Sequence, residues 1–176
     1  MIDNWTASFS KVIASEGGYV NDPADKGGET NLGVTKAAWA EYIGRPVADG
    51  EMRALTVDAV KPFYKSRYWD RCKCDDLPAG VDYMVFDFAV NAGVGQSAKF
   101  LQRAVGAAAD GAIGPGTLAK VRESSAPAIM ESIKQQKEKF YNGIVERTPS
   151  QSRFLRGWMN RIAHVQSCAE QMCFGA

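Results

Sequence analysis

Acidic residues are concentrated in one glycine-rich stretch, SEGGYVNDPADKGGETNLGVT, which spans residues 15–35. Glu16 follows directly on an apolar helical pattern, and Asp22, Asp25 and Glu29 come after it. The negative end of a helix dipole disfavours an ionised carboxyl, and a general acid must keep its proton near neutral pH. Hydrolysis of a glycosidic bond needs such an acid and a second, ionised carboxylate. We therefore expect Glu16 to be the general acid, with Asp25 or Asp22 as the second carboxylate.

Each of these acids also has a plainer interpretation. Glu16 fits an ordinary surface glutamate in the last turn of a helix. Asp22 and Asp25 fit turn formation, since Asn-Asp-Pro and Pro-Ala-Asp are good turn sequences. What favours catalysis is that these acids occur together in a single loop whose glycines let the backbone approach a ligand closely.

Other catalytic chemistries lack the residues they need. The chain has one histidine, His164, which argues against the common zinc hydrolases and against a nucleophilic triad. The glycines follow a helix, whereas nucleotide-binding loops follow a strand. Four cysteines match neither a zinc ribbon nor a disulfide framework, so free or incidentally paired thiols are expected. We expect no metal and no cofactor.

A polysaccharide cleft also needs flat apolar faces for sugar rings and polar groups for their hydroxyls. Core packing is the commoner explanation for an aromatic residue, but a loop rather than an amphipathic stripe presents Tyr19. The candidates for stacking on a sugar ring are Tyr19, Tyr68 and Trp69. The candidates for binding hydroxyls are Asn31, Asp87 and Asn91.

Composition limits the classes of partner. The 176 residues are 45% hydrophobic and 23% charged, which fits one compact unit or two small halves sharing a core. A net charge of +1 gives no basic field for nucleic acid. No stretch is apolar for long enough to span a membrane, and the first residues lack the pattern of a secretory signal. We expect a monomer with neither a nucleic-acid partner nor stable membrane insertion.

The elements that must position these residues are predicted to be helices, with at most a small β-hairpin near residues 19–34. Apolar residues recur at helical spacing in the first segment, where Gly17 and Gly18 stand at the place of a left-handed cap. A second helix begins after Thr35 and ends at Gly44. A third is predicted over residues 56–68, with a proline that either kinks it or marks its start.

The segment AGVDYMVFDFAVNAG predicts a central, buried helix because it is apolar nearly all round. Its polar exceptions, Tyr83, Asp87 and Asn91, are spaced four apart and share one face. Buried polar groups need partners. This face is therefore expected to meet either other polar groups or a wet cleft.

The acidic stretch closely resembles the signature of glycoside hydrolase family 108, lysozyme-like N-acetylmuramidases of phages, prophages and bacteria. The later segments FYKSRYWD and FDFAVNAG match the continuing pattern of that family. The segment FLQRAVGAAADGAIGPGTLAKV resembles the peptidoglycan-binding region that typically follows, with LQ, DG, IGP and T elements in order. The resemblance implies a lysozyme-like helical fold and cleavage of the β-1,4 bond between N-acetylmuramic acid and N-acetylglucosamine in peptidoglycan.

The resemblance also implies roles and boundaries. Glu16 falls on the catalytic glutamate, and a similar spacing in phage lysozymes implies that Thr30 helps to place the attacking water. A catalytic region is expected over residues 1–93 and a peptidoglycan-binding region over 94–176. The only break between them is short, so we expect one compact body. A prophage-type endolysin would stay in the cytoplasm until its release to the periplasm and cell wall, where it causes bacteriolysis.

Three other functions remain open. A lytic transglycosylase would use Glu16 alone, because a hydroxyl of the sugar itself attacks. A non-catalytic cell-wall-binding or secretion-associated protein would bind peptidoglycan without releasing fragments. A chitin- or chitosan-active enzyme is also compatible with a helical lysozyme-like fold.

Overall fold

The chain divides into two compact units, residues 1–67 and residues 68–176. The computed structural model describes residues 3–24 and 26–175, so Asp25 lies outside the described residues. About 67% of the chain is helical, and its strands form one small antiparallel sheet. The predicted mainly helical fold is confirmed. Within the described ranges, no helix is both long and apolar enough to cross a membrane.

Unit 1 begins with helix α1, Asn4–Ala14. The Asp3 side chain caps it by accepting hydrogen bonds from the backbone N–H and the hydroxyl of Thr6. Such a cap satisfies one of the backbone donors that the first turn leaves without a helical partner. The helix buries Trp5, Phe9 and Val12, which lie on one face.

The end of α1 differs from the prediction. Ser15 closes the helix in a right-handed conformation, and neither Gly17 nor Gly18 is among the described glycines with positive φ. The N–H groups of Ser15 and Glu16 already donate to the carbonyls of Val12 and Ile13, at 3.1 Å each. Because these bonds satisfy carbonyls of the last turn, no left-handed cap is required.

A three-stranded antiparallel sheet follows, formed by β1 (Val20–Asn21), β2 (Glu29–Asn31) and β3 (Val34–Thr35) in that order. The predicted hairpin thus gains a third strand. Leu32 and Gly33 join β2 to β3 with φ of 52° and 75°, as a type I′ turn requires. A left-handed conformation costs a non-glycine residue about 1–2 kcal/mol, so surrounding contacts must hold Leu32 in place.

Two further helices complete unit 1, α2 (Lys36–Ile43) and α3 (Val57–Tyr64). Thr35 caps α2 and Gly44 ends it with φ of 71°, as predicted. Pro62 lies inside α3, and a π-helical turn over residues 65–69 follows it. Because Pro62 has no N–H, α3 lacks the hydrogen bond to the carbonyl of residue 58, whereas the Lys65 N–H donates to the carbonyls of Lys61 and Pro62. The predicted third helix changes its winding after Tyr64.

The core of unit 1 is an aromatic cluster that joins its three helices. The Phe9 ring lies 5.7 Å from the Tyr64 ring, and the Phe63 ring lies 6.0 Å from that of Trp39. All four residues are buried. Edge-on and tilted arrangements of this kind add to the burial energy and restrict the rings. The cluster therefore fixes Tyr64 in one position.

Unit 2 contains five α-helices among its described residues. The central helix predicted from the apolar segment over residues 79–93 is confirmed, because residues 81–89 are all buried. The helices are α4 (Val81–Ala92), α5 (Val94–Val105), α6 (Pro115–Glu123), α7 (Ala126–Arg147) and α8 (Ser152–Phe174). Helix α4 packs against α5, α7 and α8.

The LQ, DG and T elements of the second motif meet in one hydrogen-bond network. The buried Gln102 amide nitrogen donates to Asp110 Oδ1 at 2.7 Å and to Thr117 Oγ1 at 3.2 Å, and its oxygen accepts from the N–H of Gly111 at 2.9 Å. The Ala112 N–H and the Gln102 amide lower the pKa of Asp110. These elements therefore hold the loop between α5 and α6 in place.

The four cysteines are free thiols, in agreement with one of the two expected states. Cys72 and Cys74 are fully buried. Burial raises the pKa of the Cys74 thiol, and the neighbouring Cys72 raises it further. A buried thiol with a raised pKa is a poor nucleophile.

Candidate active site

The end of α1 and the turn between β2 and β3 meet around Glu16. Glu16 is half-buried, two residues beyond the last residue of α1. The Leu32 N–H donates to the carbonyl of Gly17 at 3.1 Å, which fixes the turn beside the glutamate. One backbone hydrogen bond thus joins two segments that are 15 residues apart in sequence.

Gly33 allows the Glu16 carboxyl to lie directly on the backbone of this turn. A methyl group at position 33 would stand 2.7 Å from Glu16 Oε2 and 2.9 Å from Glu16 Cδ, and it would also overlap the Tyr64 hydroxyl. A residue with a side chain therefore cannot occupy this position without displacing the carboxyl. The absence of a Cβ and the positive φ both favour glycine here.

Tyr64 supports the same turn from the core. Its hydroxyl donates to the Leu32 carbonyl at 2.7 Å, and its ring is 1% exposed. Because the aromatic cluster holds the ring, this hydrogen bond fixes the strained turn against Glu16. The catalytic candidate is thus positioned by α1, by the turn and by α3 together.

A second polar cluster lies on β2. Glu29 accepts hydrogen bonds from Lys36 Nζ and from the Tyr19 hydroxyl, both at 2.7 Å. The Arg53 guanidinium lies 4.5 Å from the centroid of the Tyr19 ring. Lys36 and Tyr19 lower the pKa of Glu29, so its carboxyl is ionised near neutral pH. This cluster pairs the Glu29 carboxylate with the Lys36 ammonium and positions Tyr19.

The predicted partners of Glu16 have different surroundings. Asp22 is exposed, and its Oδ1 accepts a hydrogen bond from the Ala24 N–H at 2.9 Å, as the turn-forming alternative requires. Thr30 is half-buried in the middle of β2 and pairs with Val20 and Thr35. Asp25 lies outside the described residues. The catalytic roles of Asp22, Asp25 and Thr30 stay predictions.

Asn31 has a structural role in place of the predicted sugar contact. It is 6% exposed, and its amide nitrogen donates to the Met52 carbonyl at 2.9 Å. This bond ties β2 to the loop before α3, where Glu51 forms a two-bond ion pair with Arg45 at 2.9 Å. A buried amide that is used in this way is not available to a ligand.

The aromatic candidates of unit 2 differ in exposure. Trp69 is 1% exposed, its indole N–H donates to Asp75 at 2.8 Å, and its ring lies edge-on to Phe86. The prediction that Trp69 stacks on a sugar is therefore wrong, because neither face of the ring is accessible. Tyr68 is half-buried, and its binding role stays a prediction.

Asp87 is buried within an ion cluster. One carboxylate oxygen accepts from Arg161 at 2.7 Å, and the other lies 3.8 Å from Lys137 Nζ. Burial lowers the pKa of Lys137, Asp87 opposes that shift, and Arg161 adds to it. Asp87 thus has the polar partners that one of the two predicted alternatives required, and it also lines a small cavity with Asn91, so its predicted sugar contact stays a prediction. Asn91 is exposed and donates to the Asp87 carbonyl at 3.0 Å, so its predicted contact with hydroxyls stays open.

Two contributors to the site, Gly33 and Tyr64, were missed by sequence reasoning. Gly33 lies within the acidic motif and Tyr64 within FYKSRYWD, so the motifs were the available signal. Spacing along the chain did not indicate that they meet. Across residues 3–24 and 26–175, no group of three or more His, Cys, Asp and Glu side chains could hold a metal ion.

Comparison with known proteins gives consistent matches. Residues 9–93 match the family described as Glycosyl hydrolase 108, and residues 96–163 match the family described as Predicted Peptidoglycan domain. The chain is similar to SagA of Brucella abortus, with a TM-score of 0.83 and 36% sequence identity over 97% of this chain and 95% of that one. A search of curated proteins finds no match.

The helical fold and the two matched regions define a glycoside hydrolase that acts on peptidoglycan. The chain belongs to the glycosyl hydrolase 108 family. Peptidoglycan is accordingly its partner.

Proposed function

We propose that the protein is an N-acetylmuramidase of the lysozyme type, which cleaves the β-1,4 bond between N-acetylmuramic acid and N-acetylglucosamine with Glu16 as general acid. One observation carries this proposal: the half-buried Glu16 carboxyl rests on Gly33, in a turn that Tyr64 holds from the core. Catalytic groups need such fixed positions, since a small displacement of a reacting group costs a large part of the rate.

The chemistry assigned to Glu16 is protonation of the leaving glycosidic oxygen. Glu16 is half-buried and follows the last turn of α1, and this position supports that role because the negative end of a helix dipole disfavours an anion. A second carboxylate, Asp25 or Asp22, is proposed to activate water or to stabilise the developing positive charge, with Thr30 placing the water. Glu29 is committed to hydrogen bonds with Lys36 and Tyr19, one on each oxygen.

Clearing of a peptidoglycan suspension tests the role of Glu16. Glu16→Gln should reduce the rate by about 10²-fold or more, the usual contribution of a general acid. The matched control is Glu123→Gln, which changes a helix-ending glutamate on the surface of unit 2. Equal clearing by Glu16→Gln and the wild type, with both folded by circular dichroism, would refute the proposal. Asp25→Asn and Asp22→Asn, assayed alongside, separate the candidates for the second carboxylate.

The products distinguish hydrolysis from its alternatives. Mass spectrometry should find reducing N-acetylmuramic ends, whereas anhydro-muramic ends would identify a lytic transglycosylase. Binding to peptidoglycan without release of fragments would identify a non-catalytic wall-binding protein. Nuclear magnetic resonance of the first anomer formed then decides between inversion and retention.

The biological setting is part of the same proposal. We infer a prophage-type endolysin that stays in the cytoplasm until its release and then lyses the cell. Fractionation of cells that express the intact chain should recover it from the cytoplasm before membrane permeabilisation, with lysis following permeabilisation. Recovery in the periplasm before that step would contradict this setting.

A further inference from the structure

Tyr19 and Arg53 form a cation–π pair in the same unit as the catalytic candidate. The guanidinium carbon of Arg53 lies 4.5 Å from the centroid of the Tyr19 ring. An arginine that is held over an aromatic face keeps its N–H groups for other partners, because the attraction to the ring uses its charge. The pair therefore presents a fork of hydrogen-bond donors above the ring.

The Tyr19 ring is a fixed platform for this arginine. Its hydroxyl donates to Glu29 Oε1 at 2.7 Å, and Lys36 Nζ holds the other oxygen of Glu29 at the same distance. Because Arg53 covers one face of the ring, that face is not open to the sugar stacking predicted for Tyr19. The contact with Arg53 indicates a different use of the ring, which is to hold the guanidinium in place.

The loop that carries Arg53 is also held by its neighbours. The Asn31 amide nitrogen donates to the Met52 carbonyl at 2.9 Å and lies 3.5 Å from the carbonyl oxygen of Arg53. Glu51, two residues earlier, accepts two hydrogen bonds from the Arg45 guanidinium at 2.9 Å each. A group whose position is fixed before binding loses little entropy when a ligand arrives. Arg53 is thus preorganised.

The charge of Arg53 has no ion-pair partner of its own. Arg53 is exposed and lies within 4 Å of no carboxylate among the described residues. Lys36 and Tyr19 lower the pKa of Glu29 most, and Arg53 contributes least to that shift. Both oxygens of Glu29 accept hydrogen bonds from the other two residues. An exposed guanidinium in this state is suited to bidentate binding of a ligand carboxylate.

The pair lies near a sugar that is bound at Glu16. Tyr19 follows Glu16 by three residues, so their Cα atoms are at most about 11 Å apart. The next residue, Val20, pairs with Thr30 across β1 and β2, and the turn that follows β2 contacts Glu16. A substituent of a sugar beside the bond at Glu16 can therefore reach the Arg53 guanidinium.

We propose that Arg53 is a specificity-determining residue, which binds a carboxylate carried by the N-acetylmuramic residue of the substrate, and that Tyr19 positions it. This assignment rests on the proposed function and names how the same site recognises its substrate. The muramic residue carries a lactyl group and a stem peptide, either of which can supply a carboxylate, whereas N-acetylglucosamine is neutral. A carboxylate site therefore decides which of the two sugars lies at Arg53, and hence which bond meets Glu16.

The kinetics of peptidoglycan clearing by the full-length protein test the role of Arg53. Arg53→Gln should raise KM about 5–10-fold and leave kcat within about twofold of the wild type, because a contact remote from the reacting bond binds ground and transition states equally. Arg53→Lys keeps the charge, loses the fork and should recover only part of the loss. Arg122→Gln, the matched control, removes an exposed arginine of unit 2 and should keep both constants. An unchanged KM in Arg53→Gln would overturn the assignment.

Amidation of the peptidoglycan carboxylates with carbodiimide tests the ligand chemistry. The wild type on amidated polymer should show the KM of Arg53→Gln on native polymer, and Arg53→Gln should show no further rise. A wild-type KM that amidation leaves unchanged would overturn the carboxylate pairing. Glycan strands freed of stem peptides by an amidase keep the lactyl carboxylate. A KM that still depends on Arg53 on these strands assigns the lactyl carboxylate, and a KM independent of Arg53 assigns a carboxylate of the stem peptide.

A double-mutant cycle tests Tyr19 as a positioning residue. Tyr19→Leu removes the ring beneath Arg53 and should raise KM about threefold, the size of an exposed cation–π contact. The same change in protein that carries Arg53→Gln should add little, because the two residues act as one unit. Tyr19→Phe keeps the ring and should stay closer to the wild type. An equal rise from Tyr19→Leu in both backgrounds would mean that Tyr19 contacts the sugar directly, which would overturn its positioning role.

Failure of this proposal is distinguishable from failure of the proposed function. If the wild type releases no fragments, or if Glu16→Gln clears peptidoglycan at the wild-type rate, the proposed function is wrong. Arg53→Gln and its control are then compared by co-sedimentation with native and amidated polymer, where equal binding overturns the Arg53 assignment as well. If Glu16→Gln is inactive and Arg53→Gln has the wild-type KM, the Arg53 assignment alone is wrong.

Discussion

A methyl group at Gly33 should separate the position of Glu16 from the stability of unit 1. Gly33→Ala would place a Cβ 2.7 Å from Glu16 Oε2, whereas ordinary contacts begin at 3.4 Å, so the oxygen must move by about 0.7 Å. The methyl group would also overlap the hydroxyl of Tyr64, whose buried ring is held by the aromatic cluster. The Glu16 carboxyl is the far end of a flexible side chain and can move at small energetic cost, which changes its position relative to a bound sugar, whereas the overlap with Tyr64 adds to the cost in stability.

The expected magnitudes follow from this geometry. Alanine at a positive φ should cost about 1–2 kcal/mol of unfolding free energy. Gly44→Ala imposes the same backbone cost alone, at φ of 71°, because a methyl group there meets no atom within 4 Å. Gly33→Ala should therefore have a lower urea midpoint than Gly44→Ala, because the overlap with the Tyr64 hydroxyl adds to the shared backbone cost, and both activities are compared under conditions where both variants are folded. Only Gly33→Ala should lose activity strongly, by about 10²-fold, because misplacing a reacting group by about 1 Å has that effect.

The assay is the initial rate of clearing of peptidoglycan at saturating and at low polymer concentration, with urea unfolding of the same preparations. We expect the maximal rate of Gly33→Ala to fall while Gly44→Ala stays near the wild type. If both variants keep the wild-type rate, the contact with Gly33 does not position Glu16. If both lose the same activity, backbone strain alone explains the effect.

Three further outcomes are expected. Tyr64→Phe should lower the free energy of unfolding by about 1–2 kcal/mol, because it leaves the Leu32 carbonyl without its hydrogen-bond donor. It should also lower the clearing rate more than an equally destabilising change elsewhere in the chain. An unchanged clearing rate would contradict the positioning role of Tyr64. The Arg45 guanidinium lowers the pKa of Glu51 from 4.5 to about 2, and the Ala48 N–H and the Trp39 indole N–H contribute to the shift. The ionised form of Glu51 therefore stabilises the fold above pH 4.5, and Glu51→Gln should reduce the urea midpoint at pH 7. The difference from the wild type should shrink as the pH falls from 4.5 towards 2. Asp87→Asn should reduce the free energy of unfolding by about 3 kcal/mol, because it leaves the buried Lys137 ammonium without its counterion. Lys137→Met should reduce it much less in the same urea measurement. The opposite order would contradict the assigned ion cluster.

Local structure was largely predictable because it follows from neighbouring residues. The caps of α2 and the all-round apolar pattern of α4 gave correct elements, since both depend on residues within a few turns. The left-handed cap at Gly17 was wrong because two backbone N–H groups had already satisfied the last carbonyls of α1. The third strand and the π-helical turn were missed, since neither has a strong local signal.

The site was predictable in part. Glu16 stood out by residue type, by its place after a helix and by its motif. The sequence predicted a buried helix around Asp87 and left core packing open for Trp69, but it did not decide whether either side chain faces a ligand or the core, because both residue types occur in both settings. Nor did it indicate that Glu29 is occupied by Lys36 and Tyr19.

The sequence by itself determined the mainly helical architecture, the acidic motif and the family. The tertiary structure alone decided what touches Glu16, because Gly33 and Tyr64 lie 17 and 48 positions away along the chain. Patterns of spacing report contacts within one helix or hairpin. Contacts between distant segments depend on how the aromatic core of unit 1 brings α3 and the β2–β3 turn to the end of α1.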